Sequence, residues 1–367
     1  MKLITESGYN MFDMLSLLQK GIRRGMYDYT GFAASELKTK YRTAMWNRLL
    51  VISAEDCFGI ITKEIVALRA KDDGEKSDEN ISNAIALLCK ALKSRDACYF
   101  ACNFILASRN PRDIIPETQD ADIIHQSHEC KTRYDTFGFE QTSLFGNDLE
   151  EKPCLNLKCN ESCDLLQTAI LHRDMDMIGY EMDVLRKYDR EYLWDICINY
   201  ARKYSKRNVQ KEIVGLKEAD DFVNGKKKEK DEIFISKAAM VLVYGDDIER
   251  FDDIRAVDFI NFDTNIDWSK YNIKPIKECP FLREVPEWVY DCHTLKGKAM
   301  GKTDWDMTRT EQEALHPKRI GYFDEASWLY TYQQDFDNGD ISKNGMIPIL
   351  EFSKTHEANP VEFIPYL

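Results

Sequence analysis

The stretch 41–59, YRTAMWNRLLVISAEDCFG, limits what this 367-residue chain can fold into more than any other segment. Met45, Leu49 and Ile52, with Trp46, Leu50 and Ser53, fall on neighbouring rows of a 3.6-residue helix, which predicts a broad apolar face. That face must be buried. Arg48, Ile52 and Glu55 share another row, so an arginine can lie along the helix toward a carboxylate. Asp56 sits on the apolar row at the carboxyl end, where a carboxylate opposes the helix macrodipole. The conflict is relieved if Asp56 caps a second helix over 58–69 by accepting backbone N–H bonds. The expectation is a buried helix, a sharp corner and a second helix.

The same periodicity predicts helices over 11–24 and 28–40 before this element, then 81–93 and 96–108 after a charged connector at 71–79. Helices joined by short turns make 1–116 a collar-like helical domain. Periodicity fails over 117–158, which reads as an exposed insertion or long loop. Helical patterns resume at 163–172, 175–188, 192–204, 209–223 and 233–244, so 159–250 is expected to be a second helical bundle. No fixed repeat period is apparent, although paired helices at about 30-residue spacing would suit stacked hairpins. The last section, 251–367, is rich in Asn, Asp and Pro and predicts an irregular C-terminal lobe with helices at 311–315 and 325–336. The fold class expected is mostly α, a helical bundle or collar with a long insertion and an irregular C-terminal lobe.

Composition sets outer bounds. Charged residues make up 31% and mean hydropathy is −0.48. No apolar run approaches the length needed to span a bilayer, and the first residues show no basic, apolar signal-peptide pattern. Eleven cysteines, an odd number, suit a reducing cytoplasm better than a disulfide framework. A net charge of −13 argues against a nucleic-acid coat over the whole surface and leaves room for a local basic patch.

The run Asn47-Arg48-Leu49-Leu50-Val51-Ile52-Ser53-Ala54-Glu55-Asp56-Cys57-Phe58-Gly59 resembles the R-L-L-x-I-A-S-E-D-V-G signature in the C-terminal helical region of the MgsA (RarA, or Werner-helicase-interacting) AAA+ ATPases. Leu17 to Gly25 (LLQKGIRRG) likewise resembles that family's K-x-I-R-G-S-D helix. On this resemblance Arg48, Glu55 and Asp56 are signature residues, though Ser53-Ala54 inverts the family's Ala-Ser order. Tyr290-Asp291-Cys292-His293-Thr294 with Gly297 and Gly301 resembles a segment of stand-alone, phage-type relatives that lack the ATPase module. The resemblance implies a cytoplasmic accessory protein of DNA replication or recombination that forms a homo-oligomer and binds a sliding clamp, a clamp loader or DNA.

Four residue groups are candidates for chemistry or contact. Asp291 can orient His293 as an acid/base pair, or Asp291, His293 and Thr294 can simply cap and pin a loop. Gly301-Lys302-Thr303 fails as a phosphate loop, because the glycine required five positions before Gly301 is Lys296. His125, His128, Cys130, Cys154, Cys159 and Cys163 offer the donor types of a structural zinc, but no Cys-x-x-Cys knuckle is present and scattered thiols are the alternative. Gln141-Thr142-Ser143-Leu144-Phe145 resembles the clamp-binding pentapeptide Q-L-S-L-F; in it Gln141 and Ser143 would make polar contacts while Leu144 and Phe145 fill an apolar pocket. The alternative is that Leu144 and Phe145 anchor the insertion. Arg23, Arg24, Lys296, Lys298 and Lys302 are candidate phosphate contacts, with Trp288, Tyr290 and Trp305 available for base stacking. Each basic run taken alone also fits a solvated helix face.

Overall fold

The computed structural model describes residues 3–91, 93–101, 157–225, 232–245, 268 and 273–302, and it is mostly helical, with no named strand among those residues. The first half runs through α1 (Met11–Arg23), α2 (Tyr27–Leu37), α3 (Arg42–Glu55), α4 (Thr62–Gly74), α5 (Asp78–Lys90) and the short α6 (Asp96–Phe100). The second half runs through α7 (Leu157–His172), α8 (Met175–Tyr188), α9 (Arg190–Tyr204), α10 (Arg207–Asn224) and α11 (Ile233–Tyr244), and α12 (Leu295–Ala299) follows near the end of the described chain. Most of the insertion and the helices expected at 311–315 and 325–336 lie outside the described residues. No helix among the described residues is long and apolar enough to cross a membrane.

α3 is the interior rod that its periodicity predicts. Met45, Trp46, Leu49, Leu50 and Ile52 are buried, and each large side chain removed from water contributes roughly 1.5–3 kcal/mol. The corner follows at once, with Gly59 in the left-handed region at φ 77°. α11 differs from the amphipathic helices in being buried along its whole length against α3, α6 and α10.

The expectation of no fixed repeat is corrected by the helices themselves. α1–α4 and α7–α10 recur in the same order without a gap at a spacing of 148 residues, from Arg42 to Arg190 and from Trp46 to Trp194. Leu17-Leu18-Gln19 recurs as Leu165-Leu166-Gln167, and Lys63-Glu64-Ile65-Val66 as Lys211-Glu212-Ile213-Val214. The turns match as well. Gly25 (φ 66°) and Arg173 (φ 58°) end α1 and α7 in the left-handed conformation. In each turn the next N–H reaches back five residues, Met26 to Gly21 and Asp174 to Ala169, at 2.9 Å in both.

A polar triad marks each copy. Asp72 accepts from Arg42 Nε (2.7 Å) and from the indole N–H of Trp46 (2.7 Å). Asp220 accepts from Arg190 Nε and Trp194 Nε1, both at 2.9 Å. In both copies the arginine precedes the aspartate by 30 residues and the tryptophan by 26. A buried indole needs an acceptor and a buried carboxylate needs a cation, and one geometry supplies both. Burial pushes both carboxyl groups up, but the arginine and indole bonds outweigh it and hold Asp72 and Asp220 below the usual range.

The halves join where α10 lies on α4. Gly215 permits the approach, since a Cβ there would fall 2.7 Å from Lys63 Cα. Segment 273–302 packs on the first half, with Tyr9 donating to Leu282 O (2.6 Å) and Ile276 N donating to Ser82 Oγ (3.1 Å).

Candidate functional site

α1 presents Gln19, Lys20 and Arg23 on a face that is otherwise apolar, and all three are buried. Their partners come from two distant parts of the chain. Asp56, fully buried at the end of α3, accepts from Arg23 Nε (2.7 Å), Arg95 Nη1 (2.8 Å) and Gln19 Nε2 (2.9 Å). Glu55 accepts from Arg95 (2.8 Å) and Gln19 (3.1 Å), and Arg48 donates to Gln19 Oε1 at 2.9 Å.

Arg95 is delivered by a local device. The fully buried Lys93 donates to the carbonyls of Ala91 (2.6 Å) and Leu88 (2.7 Å), where a cation favours the carboxyl end of α5. Cys57 and Lys93 form an antiparallel bridge, and Ser94 N donates to Asp56 O at 3.1 Å. The next side chain therefore falls beside Asp56.

The expected capping role of Asp56 is corrected here. The second helix begins at Thr62, and the carboxylate at its amino end is Glu212 of α10, which accepts from the N–H of Thr62 (2.9 Å) and Lys63 (3.0 Å). Asp56 remains at the unfavourable end of α3 because two guanidiniums offset both the dipole and the burial. Burial alone would raise its carboxyl pKa, but Arg23 and Arg95 hold it below the usual range.

Lys20 carries the cluster to the C-terminal landmark. Its ammonium lies 2.6 Å from Asp291 Oδ2 and donates to Val289 O at 2.9 Å. Asp291 Oδ1 accepts from the backbone N–H of His293 (2.9 Å) and Thr294 (3.1 Å). Thr294 Oγ1 accepts from the N–H of Gly297 at 3.1 Å and so caps α12. Glycine is required there, since a Cβ on Gly297 would sit 2.0 Å from Asp291 O. Gly301 leaves the turn at φ 74°. Asp291 is thus committed to Lys20 and to its own loop, while His293 is exposed. Burial raises the Asp291 carboxyl, but Lys20 outweighs it and keeps the group low, which makes it a weak proton acceptor.

The candidate cations separate into different situations. Arg23 is corrected as a phosphate contact, because its guanidinium is buried and spent on Asp56 and Glu55. Arg24 stacks over Trp288 at 4.4 Å, and Lys296 lies 4.1 Å over the ring of Tyr290. Tyr290 is buried, so its ring is withdrawn from base stacking. Lys298 is exposed and Lys302 pairs with Glu287 at 3.1 Å. Trp305, Gln141, Ser143, Leu144 and Phe145 lie outside the described residues, as do His125, His128, Cys130 and Cys154. Cys159 falls in α7 and Cys163 is buried there, accepting from Gln167 Nε2 at 3.1 Å. Among the described residues no group of His, Cys, Asp or Glu is arranged to hold a metal.

Sequence reasoning missed Gln19, Lys20 and Arg95 as partners of the signature carboxylates. The one available signal was polar side chains on the apolar face of α1. No family model matches the chain, and no curated protein or solved structure is significantly similar to it.

Proposed function

We propose that this chain is a non-catalytic accessory protein of DNA replication or recombination, acting by self-association and by binding a sliding clamp, a clamp loader or DNA. One observation supports the reading above others. The residues that resemble the helical signature (Arg48, Glu55, Asp56) bond Gln19 of α1, and Asp291 of the segment that resembles the C-terminal landmark pairs with the adjacent Lys20. Each polar group in that junction has a protein partner, which suits a structural joint better than a reaction centre. The occupied Asp291 carboxylate also weighs against an acid/base role with His293.

Capture on an immobilised sliding clamp tests the binding arm. The full chain is expected to be retained. Simultaneous replacement of Gln141, Leu144 and Phe145 by Ala is expected to abolish retention while the circular dichroism spectrum stays unchanged. Retention of the triple variant would rule out this pentapeptide, and failure to retain the parent chain would rule out clamp binding.

A further inference from the structure

The repeat continues into the next helix after a change of spacing. Ile81-Ser82-x-Ala84-x-x-x-Leu88 of α5 recurs as Ile235-Ser236-x-Ala238-x-x-x-Leu242 of α11, 154 residues on. Ser82 Oγ donates to Asp78 O at 2.7 Å and Ser236 Oγ to Glu232 O at 2.9 Å, so the two serines make the same bond in both helices. In this register Lys237 and Tyr244 stand where α5 has Asn83 and Lys90. Both replacements bond the first half. Lys237 Nζ donates to Cys57 O at the corner after α3, and the Tyr244 hydroxyl donates to Asp96 Oδ2 of α6. The Tyr244 ring also meets Phe58 edge-on at 5.2 Å.

The surroundings of Lys237 do not suit an ammonium. The side chain is buried, and among the described residues its Nζ has one acceptor, Cys57 O, whereas an ammonium carries three donors. Lys93, bridged to Cys57, shows what a satisfied ammonium looks like, since it donates to the carbonyls of Leu88, Cys89 and Ala91 at 2.7, 3.3 and 2.6 Å. The cavity beside Lys237 measures about 10 Å³, room for one water at most. Burial drives the Lys237 amine below its ordinary pKa, against the opposing pull of Glu212 from α10, Cys57 from the corner and Asp96 from α6. Those groups have other work. Glu212 accepts from the N–H of Thr62 and Lys63, Asp96 accepts from Tyr244, and the neighbouring Asp56 is held by Arg23 and Arg95. Burial pushes the Cys57 thiol up to about 11, so it carries no charge near neutrality.

We propose that Lys237 is a proton-linked latch between the two halves: as the neutral amine it closes α11 onto the corner after α3, and on taking up a proton it releases that contact. The neutral amine is content with the carbonyl of Cys57, whereas the ammonium needs water that the closed joint does not admit. In an open joint Lys237 meets water and titrates near its ordinary value, about 10.4. The closed joint holds it lower. Between the two values opening takes up one proton, so the open population grows about tenfold for each pH unit of acidification. The latch does not rest on the proposed replication role.

Hydrogen exchange of the full chain, read by mass spectrometry and corrected for the intrinsic rate, tests the latch between about pH 8.5 and about pH 6.5, below the titration of an exposed lysine. On acidification the protection of 57–61 and of α11 is expected to fall by about tenfold or more, while that of α2 holds. Lys237→Met keeps the length and removes the amine, and its protection is expected to be independent of pH. Lys237→Arg places a guanidinium that does not give up its proton, and weak protection is expected across the whole range. Flat protection in the parent would overturn the proposal, as would a fall of the same size in Lys237→Met. So would an arginine variant protected as well as the parent at the alkaline end. A fall shared equally by α2 would mean general unfolding and would overturn the latch as well.

Discussion

Asp56→Ala is expected to destabilise the folded chain by about 3–5 kcal/mol, the cost of removing one partner from a buried ion pair. Asp56 is fully buried and faces two guanidiniums, Arg23 and Arg95, whose side chains are themselves 3% and 11% exposed. Removing the carboxylate leaves both cations to Glu55, which is 20% exposed and already shared. The pH dependence carries a definite sign. Because the folded carboxyl titrates below its ordinary value, its contribution is complete above the unfolded pKa, about 3.9. It is lost as pH falls through the lower folded value. Asp56→Asn keeps the volume and removes the charge. Urea unfolding should therefore show a lower midpoint for Asp56→Asn than for the parent at pH 7, with the gap narrowing on acidification below pH 4. Equal midpoints at pH 7 would mean that the cluster does not hold the corner after α3.

Loss of Asp220 is expected to cost about 2–4 kcal/mol, and loss of Asp72 a similar amount, since each leaves an arginine (buried Arg190, partly buried Arg42) and a buried indole N–H without their shared acceptor. The compensations differ in kind but offset in size. Arg190 keeps Glu232 at 2.8 Å after Asp220→Ala, yet Asn224 also loses its acceptor. Arg42 has a side chain 16% exposed and can rehydrate after Asp72→Ala, yet the N–H of Ser77 loses its bond at 3.0 Å. Both substitutions should shift tryptophan emission as Trp46 or Trp194 loses its partner. Denaturation midpoints that fall by comparable amounts would support equivalent triads in the two halves. A change below about 0.5 kcal/mol in either, the size of an ordinary surface substitution, would show that its triad is not formed.

What could be read in the amino-acid order follows the range of the interaction that decides it. α3 was legible because burial of Met45, Trp46, Leu49 and Ile52 imposes a local period on 14 residues. The loop-pinning alternative for Asp291 and Thr294 was legible for the same reason, since an Asx turn and a helix cap act within three residues. Asp56 was misplaced because its partners lie 33 and 39 residues away, and a carboxylate before a helix ordinarily caps it. The true cap, Glu212, comes from 150 residues away on another helix. The repeat was hidden by its own chemistry. What recurs is a sparse set of residues with demanding buried partners, Arg, Trp and Asp, while most apolar positions interchange freely among side chains of similar size. Within the charge cluster the copies diverge outright. Thr168 stands at the position of Lys20, Leu171 at that of Arg23 and Tyr204 at that of Asp56, so among the described residues the second half does not repeat the ion-paired junction with segment 273–302.

The proposed role is tested most directly by tagging the full chain in its native cell, recovering it under mild conditions and identifying the proteins that come with it in stoichiometric amounts. Replication or recombination proteins, a sliding clamp or its loader among them, are the predicted partners, together with further copies of the chain. Recovery with a metabolic enzyme and no replication protein would contradict it.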